Sequence, residues 1–303
     1  MSQLHIDERQ SARHADLSDH HHEANRLARE GRLAQAVAQW ELSLNDAPQC
    51  AATHYNLGLA YYRQGNFAKA ASHWQKAADV DPRHPEAPYA LGLAYSEQGL
   101  VDQARDTFER FLQTNPRHPA TLNNLGLLQA QKQRFEEAAD YFRRAIEANP
   151  GYANAHYNLG TVWYEQGKYP EAIEALKKVL DLEPGYAMAH HNLGLCHDRL
   201  GNFDDAERSF HQAQALDPDF PPAYYNLGLV YYHWQRYDEA IASYRQAKAR
   251  GFDNSLLRYE LGLAYSALGR KYETLKVWQS IVADDPHGPL TPEVKLRIAD
   301  LFT

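Results

Sequence analysis

The residues that could do chemistry in this chain are its histidines, and their spacing does not favour a metal site. The sequence holds 16 His, three of which are consecutive, His20, His21 and His22. Consecutive residues of a helix point about 100° apart, so these three side chains cannot converge on one ion. A zinc-protease motif would need a second His where Arg26 stands. We therefore predict neither a metal site nor a cofactor.

Other catalytic patterns and several classes of partner are also disfavoured by the sequence. It contains no G-x-S-x-G elbow and no Gly-rich phosphate loop after a strand. The net charge of -8 disfavours binding to phosphate backbones and anionic lipid. No apolar run approaches the ~20 residues that span a bilayer, and residues 1–16 do not resemble a secretory signal. We predict a cytoplasmic protein that is not an enzyme and binds neither nucleic acid nor membranes.

A strict 34-residue repeat sets the elements that must position any binding residues. Frames of 34 residues from Leu17 align through eight repeats and end at residue 288. Position 7 is Leu, position 8 Gly, position 20 Ala and position 32 Pro, each in seven repeats. Position 24 is large and apolar throughout: Trp40, Trp74, Phe108, Phe142, Leu176, Phe210, Tyr244 and Trp278. A fixed period of this length is typical of a solenoid.

Each repeat is predicted to be a pair of antiparallel helices. Apolar residues recur at helical spacing on both sides of position 15, where Gly in six repeats can end the first helix. Gly at position 8 faces Ala at position 20, which lets the helices approach to the short end of the usual ~8–10 Å. Phe252 replaces the closing Pro in the seventh repeat. There we predict a left-handed cap at Gly251 with Phe252 as its hydrophobic contact.

These columns resemble the tetratricopeptide repeat, and the resemblance covers residues 17–288 of the 303. It implies an all-α fold, a right-handed superhelix whose first helices line the concave side and whose second helices lie on the convex side. We expect residues 1–16 to be disordered or frayed. Residues 289–303 should form a capping helix with Thr291 as its N-cap. Its covered face should hold Val294, Ile298, Leu301 and Phe302.

Position 6 supplies the first set of candidate binding residues. It is Asn in four consecutive repeats: Asn124, Asn158, Asn192 and Asn226. In the family this position faces the groove, where an amide can both donate to and accept from a peptide main chain. Repeats lie roughly 10 Å apart and an extended peptide rises ~3.3 Å per residue, so four amides would hold about nine residues. The alternative interpretation is that these amides cap or bridge neighbouring helices.

Position 9 supplies an apolar stripe in the same groove. Family members often have a polar residue there, but apart from Thr161 this chain has Leu59, Leu93, Leu127, Leu195, Leu229 and Leu263. Tyrosines at positions 5 and 12 flank the stripe, among them Tyr157, Tyr225 and Tyr232. We expect partial exposure, so that Leu127, Leu195 and Leu229 can seat apolar side chains of a ligand. The alternative is that neighbouring first helices cover these leucines.

The charge pattern narrows the family analogy. Chaperone-tail receptors of the family hold a terminal carboxylate with Lys or Arg at positions 2, 5 and 6, and positions 2 and 5 of this chain have neither residue. We therefore predict a scaffold or adaptor that holds a peptide, or a longer extended or helical segment of a partner protein, across repeats four to seven. A self-associating building block, a homo-oligomer, is one alternative. A subunit that presents substrates to a separate enzyme is another, and residues 1–16 could themselves occupy the groove.

Overall fold

The computed structural model describes residues 19–301, and every regular element in that range is an α-helix. The chain divides into two compact units, Met1–Asn149 and Pro150–Thr303, which we call the N-terminal and C-terminal units. Residues 1–16 and Phe302 lie outside the described range, so the disorder expected of the first and the burial expected of the second stay predictions. No helix among the described residues is both long and apolar enough to cross a bilayer.

The helices follow the repeat, with an odd-numbered first helix and an even-numbered second helix in each. Those of the N-terminal unit are α1 Asp19–Arg29, α2 Leu33–Asp46, α3 Ala51–Arg63, α4 Phe67–Val80, α5 Ala87–Glu97, α6 Val101–Thr114, α7 Pro119–Gln131 and α8 Phe135–Ala148. Those of the C-terminal unit are α9 Ala153–Glu165, α10 Tyr169–Leu182, α11 Ala187–Arg199, α12 Phe203–Leu216, α13 Pro221–His233, α14 Tyr237–Ala249, α15 Ser255–Ala267, α16 Lys271–Asp284 and α17 Thr291–Asp300. Within each unit, a second helix packs on its own first helix and on that of the next repeat. The predicted all-α repeat class of fold is thereby confirmed.

The first helices end at position 15 in the left-handed backbone conformation. All six glycines there have φ between 70° and 76°, as predicted: Gly31, Gly65, Gly99, Gly167, Gly201 and Gly269. The fourth and seventh repeats have Gln133 and Gln235 instead, and these adopt the same conformation with φ of 57° and 62°. Since non-glycine residues rarely adopt positive φ, the hairpin geometry imposes this turn. The cap predicted at Gly251 is also present, with φ of 90° and the rings of Phe252 and Tyr225 5.0 Å apart.

The close approach of the paired helices depends on the glycine at position 8. In the sixth repeat, the Phe210 ring is fully buried against Gly194. A Cβ atom at Gly194 would lie 2.8 Å from two carbons of that ring, which is closer than packed carbon atoms tolerate. In the fifth repeat, a Cβ at Gly160 would lie 2.9 Å from Leu176. The missing side chain therefore sets the helix separation, as the repeat columns predict.

We expect Gly194→Ala to lower the free energy of unfolding by about 1–3 kcal/mol, because the Phe210 ring must move to admit the methyl group. The change should not abolish folding, since the first repeat has Ala24 at this position and still forms its helical pair. Urea unfolding measures the difference. Gly185→Ala is the matched control, because a Cβ there meets nothing within 4 Å. Equal losses in the two variants would refute the packing explanation.

The C-terminal helix α17 covers the last helical pair, as predicted, but its start differs from the prediction. Val294 is fully buried, and Ile298 packs against the cluster that contains Trp278. Thr291 is the first residue of α17 and not its N-cap. Its hydroxyl donates instead to the carbonyl oxygen of Asp285 at 2.6 Å. The hydroxyl that the sequence assigned to capping of α17 is therefore bonded to the preceding turn.

Candidate functional site

The candidate binding residues lie on one face of the first helices. Positions 2, 6, 9 and 13 are four, three and four residues apart, so they form a single stripe along a helix. Positions 5 and 12 border that stripe. In the C-terminal unit the stripe recurs on α9, α11, α13 and α15, and neighbouring members of this set contact each other. We call this surface the first-helix face.

The asparagines of the first-helix face are half-buried, and two of them donate to the preceding repeat. Asn192 Nδ2 donates to the hydroxyls of Tyr157 at 3.2 Å and Thr161 at 3.3 Å. Asn226 Nδ2 donates to Nε2 of His191 at 3.3 Å. The bond therefore joins position 6 of one repeat to position 5 of the repeat before it. Asn158 lies at the equivalent place on α9.

These bonds are the bridges between helices that the alternative interpretation predicts, and they leave part of each amide for a ligand. A side-chain amide has two N–H donors and one carbonyl acceptor. The side-chain oxygens of Asn192 and Asn226 accept no hydrogen bond from residues 19–301. Each can therefore accept an N–H from a bound main chain. Asn192 uses both of its N–H donors on the preceding repeat, whereas Asn226 uses one, so only Asn226 can also donate to a bound main chain.

Two predicted binding residues, Asn124 and Leu127, lie on α7 in the N-terminal unit. Asn124 Nδ2 donates to the Tyr89 hydroxyl at 3.4 Å, and Leu127 is 43% exposed. The expected exposure is wrong for Leu59, which is only 3% exposed. In the same repeat, Asn56 Nδ2 donates to Asn25 on α1 at 3.1 Å. The apolar stripe of position 9 is therefore not exposed in every repeat.

In the C-terminal unit the predicted apolar residues come together on the first-helix face. Leu195 and Leu229 are partly buried, and each packs against the core of the last repeats while leaving part of its side chain accessible. Tyr157 and Tyr232 are half-buried beside them. Tyr225 is buried, so it supports the face from below and offers little surface to a ligand.

Two further apolar residues of this face were missed by the sequence reasoning. Met188 and Leu256 stand at position 2 of α11 and α15, and they are 48% and 45% exposed. The signal was a large apolar residue at a groove position. It was overlooked because the family pattern draws attention to basic residues there. Together with Leu195 and Leu229, these side chains make the first-helix face apolar along much of its length.

Charged groups along the edge of the face are mostly paired between repeats. Arg199 Nε donates to the Tyr164 hydroxyl at 3.2 Å, and His233 Nδ1 lies 3.0 Å from Asp198. The hydrogen bond to Asp198 raises the pKa of His233. Glu260 on α15 differs, because it is half-buried and has no hydrogen bond or ion pair with the described residues. Burial raises the pKa of this carboxyl group.

Comparison with known families agrees with the repeat architecture. Residues 119–302 match the family described as the Cilia and flagella-associated protein 70 C-terminal domain. Tetratricopeptide repeat families match residues 24–65, 51–84 and 85–150. The chain therefore belongs to the tetratricopeptide repeat proteins and, over residues 119–302, to the first of these families. Proteins with this repeat are generally interaction scaffolds and are typically not enzymes.

Solved structures show the same fold at low sequence identity. A tetratricopeptide repeat protein from Parabacteroides merdae has a TM-score of 0.61 and 17% identity, and the match covers 84% of this chain and 99% of that one. PilW, a type IV pilus biogenesis factor, has a TM-score of 0.64 and 20% identity over 68% of this chain and 96% of its own. MamA has a TM-score of 0.50 and 26% identity over 54% of this chain and 89% of its own. No curated protein matches the sequence.

Proposed function

We propose that the chain is a non-enzymatic scaffold that binds an extended segment of a partner protein on the first-helix face. The observation that carries this proposal is the exposure of Met188 and Leu256 beside the partly exposed Leu195 and Leu229. A run of apolar side chains accessible to water on one face is typical of a binding surface. The half-buried Tyr157 and Tyr232 add phenol groups at its edge.

Magnitudes indicate that the apolar residues supply the affinity and the amides supply the register. A net hydrogen bond contributes about 1 kcal/mol, so the few amide oxygens of this face are outweighed by several kcal/mol of ordering and association cost. Each ligand side chain buried on the apolar stripe adds about 1.5–3 kcal/mol. A few such side chains reach the ~8 kcal/mol of a micromolar complex. The expected ligand has accessible main-chain N–H groups and regularly spaced apolar side chains.

A charge placed on the exposed apolar positions should prevent binding without unfolding the protein. We expect the double variant Met188→Glu, Leu256→Glu to bind peptides about 10–100-fold more weakly than the original chain, because each new carboxylate would be desolvated under the ligand. The probe is a library of random 16-residue peptides displayed on phage. Enriched peptides are then synthesised, and fluorescence polarisation measures their dissociation constants.

The matched control is Leu182→Glu, Leu216→Glu, which adds the same charge at second-helix leucines that are 42% and 44% exposed. It should bind the selected peptides as the original chain does. Failure to enrich any peptide, or equal weakening in both double variants, would refute the proposal. Light scattering tests the alternative of self-association, which predicts that the original chain forms larger species with rising concentration and that Met188→Glu, Leu256→Glu stays monomeric.

A further inference from the structure

We propose that Glu260 and the tyrosines around it form a recess that binds a lysine or arginine side chain of the partner. This inference rests on the proposed function, because the recess lies at one end of the first-helix face. It adds a charge requirement to a ligand that the apolar residues alone would leave unspecified. Glu260 is on α15, Tyr225 and Tyr232 are on α13, and Tyr244 is on α14, where its ring lies 5.9 Å from that of Tyr225.

Glu260 interrupts the column of asparagines, and its carboxylate is a hydrogen-bond acceptor to which no neighbouring group in the described range donates. It occupies position 6 of α15, where the two preceding repeats have Asn192 and Asn226. Each of those amides donates to the position 5 residue of the repeat before it. The equivalent neighbour of Glu260 is Tyr225. An ionised carboxylate cannot donate, and no residue of the described range donates to Glu260.

The cations near Glu260 are already engaged by other carboxylates. Arg297 Nε donates to Glu293 at 2.6 Å, and His233 Nδ1 lies 3.0 Å from Asp198. Their charges lower the pKa of Glu260, but burial outweighs them and the net direction is upward. A partly buried carboxylate without a direct counter-charge carries a desolvation cost that a cationic ligand would relieve.

A second unsatisfied polar group lies in the same neighbourhood. Tyr244 on α14 is fully buried, and its hydroxyl has no hydrogen-bond partner among residues 19–301. Tyr225 stands at position 5, which the position 6 residue of the next repeat contacts in the preceding repeats, and its ring lies 5.9 Å from that of Tyr244. Burial and, after it, the charge of Glu260 raise the pKa of both phenols. Position 24 is Tyr only in the seventh repeat, and the only Glu at position 6 follows in the eighth repeat.

These groups fit a cationic side chain better than other ligand chemistry. A lysine ammonium or arginine guanidinium donates several hydrogen bonds, which the Glu260 carboxylate can accept. The ring of the half-buried Tyr232 offers a face that attracts a cation. An anionic ligand would be repelled, and an apolar one would leave the carboxylate desolvated and unpaired. The net charge of -8 also attracts basic segments at long range.

The test uses the full chain and the phage-displayed library of 16-residue peptides described above. We expect enriched peptides to contain Lys or Arg. Replacing that residue by norleucine, or by Met for Arg, should weaken binding to the original chain about tenfold, in keeping with a charge-assisted hydrogen bond. On Glu260→Asn, which restores the residue of the preceding repeats, the same peptide change should alter the dissociation constant less than twofold.

The control variant is Glu174→Asn on α10, which removes one charge from a side chain that is 75% exposed and lies off the first-helix face. It should keep the tenfold difference between the two peptides. Glu260→Gln keeps the side-chain length and replaces Glu260→Asn if circular dichroism shows that the latter is unfolded. An unchanged tenfold difference on Glu260→Asn or Glu260→Gln would overturn this inference while the Met188 and Leu256 dependence upholds the proposed function. Failure to enrich any peptide would overturn both.

Discussion

Phe210→Ala is expected to lower the free energy of unfolding by about 3–5 kcal/mol, as truncation of a buried ring does. The side chain is 0% exposed. Its ring packs against Gly194 and lies 5.3 Å, centroid to centroid, from that of His191. Removal of the ring opens a cavity between α11 and α12 that cannot close fully, because neighbouring repeats hold both helices in place. Urea unfolding followed by circular dichroism measures the loss.

The matched control is Tyr272→Ala on α16, which removes a ring that is 75% exposed and should change stability by about 0.5 kcal/mol or less. Because each repeat contacts only its neighbours, the damage in Phe210→Ala should also be local. Hydrogen exchange should quicken most in α11 and α12 and least in α17. Comparable losses in the two variants would show that the position 24 ring does not hold the helical pair together.

The sequence predicted the helical pairs well because several columns constrain the same contact. A glycine at position 8 and a ring at position 24 are complementary in volume, and the chain repeats this pair in six of its eight repeats. The turn at position 15 was predicted from glycine alone. Gln133 and Gln235 show that the turn persists without glycine. The prediction therefore identified the right conformation, and the packing of the two helices is its cause.

The sequence did not predict which of several possible neighbours a side chain contacts. The Thr291 hydroxyl could either cap α17 or bond to the preceding turn, and in the structure it donates to the Asp285 carbonyl oxygen. Leu59 looked like the other position 9 leucines, but it is only 3% exposed. The column pattern describes an average repeat, so it is least informative where a repeat lacks a neighbour or meets an unusual one.

The candidate site was predicted in composition but not in bonding. Asn192 and Asn226 were identified from their column, but the sequence could not choose between a ligand and a neighbouring helix as their partner. That choice depends on position 5 of the preceding repeat, where the Tyr157 hydroxyl and the His191 ring both accept a hydrogen bond. Met188 and Leu256 show the opposite limit, because apolar character alone does not reveal exposure.

The stability of the protein is expected to fall on acidification because His191 is buried in its neutral form. It is 7% exposed, and burial lowers its pKa to about 4. Its Nε2 accepts a hydrogen bond from Asn226 Nδ2. A proton on Nε2 would make both atoms donors, so this hydrogen bond would be lost. Between pH 6.5 and about 4 the unfolded chain binds a proton that the folded chain does not. The free energy of unfolding should therefore decrease through this window, and the contribution of His191 should be constant above it.

His191→Tyr should remove this part of the pH dependence, because Tyr stands at position 5 in five other repeats and its hydroxyl can accept from Asn226 as Tyr157 does from Asn192. The expected difference in the pH-dependent loss is about 3 kcal/mol, the equivalent of a pKa lowered by about 2.5. Urea unfolding at intervals from pH 7 to pH 4 measures it.

Burial also lowers the pKa of His73 to about 4, but this residue is present in both proteins, so the comparison isolates His191. His287→Tyr, at an exposed turn, controls for the replacement of a histidine by a tyrosine. Parallel curves for His191→Tyr and the original chain would contradict this explanation. They would mean that His191 is already protonated in the folded state or that its pKa is the same in the folded and unfolded chains.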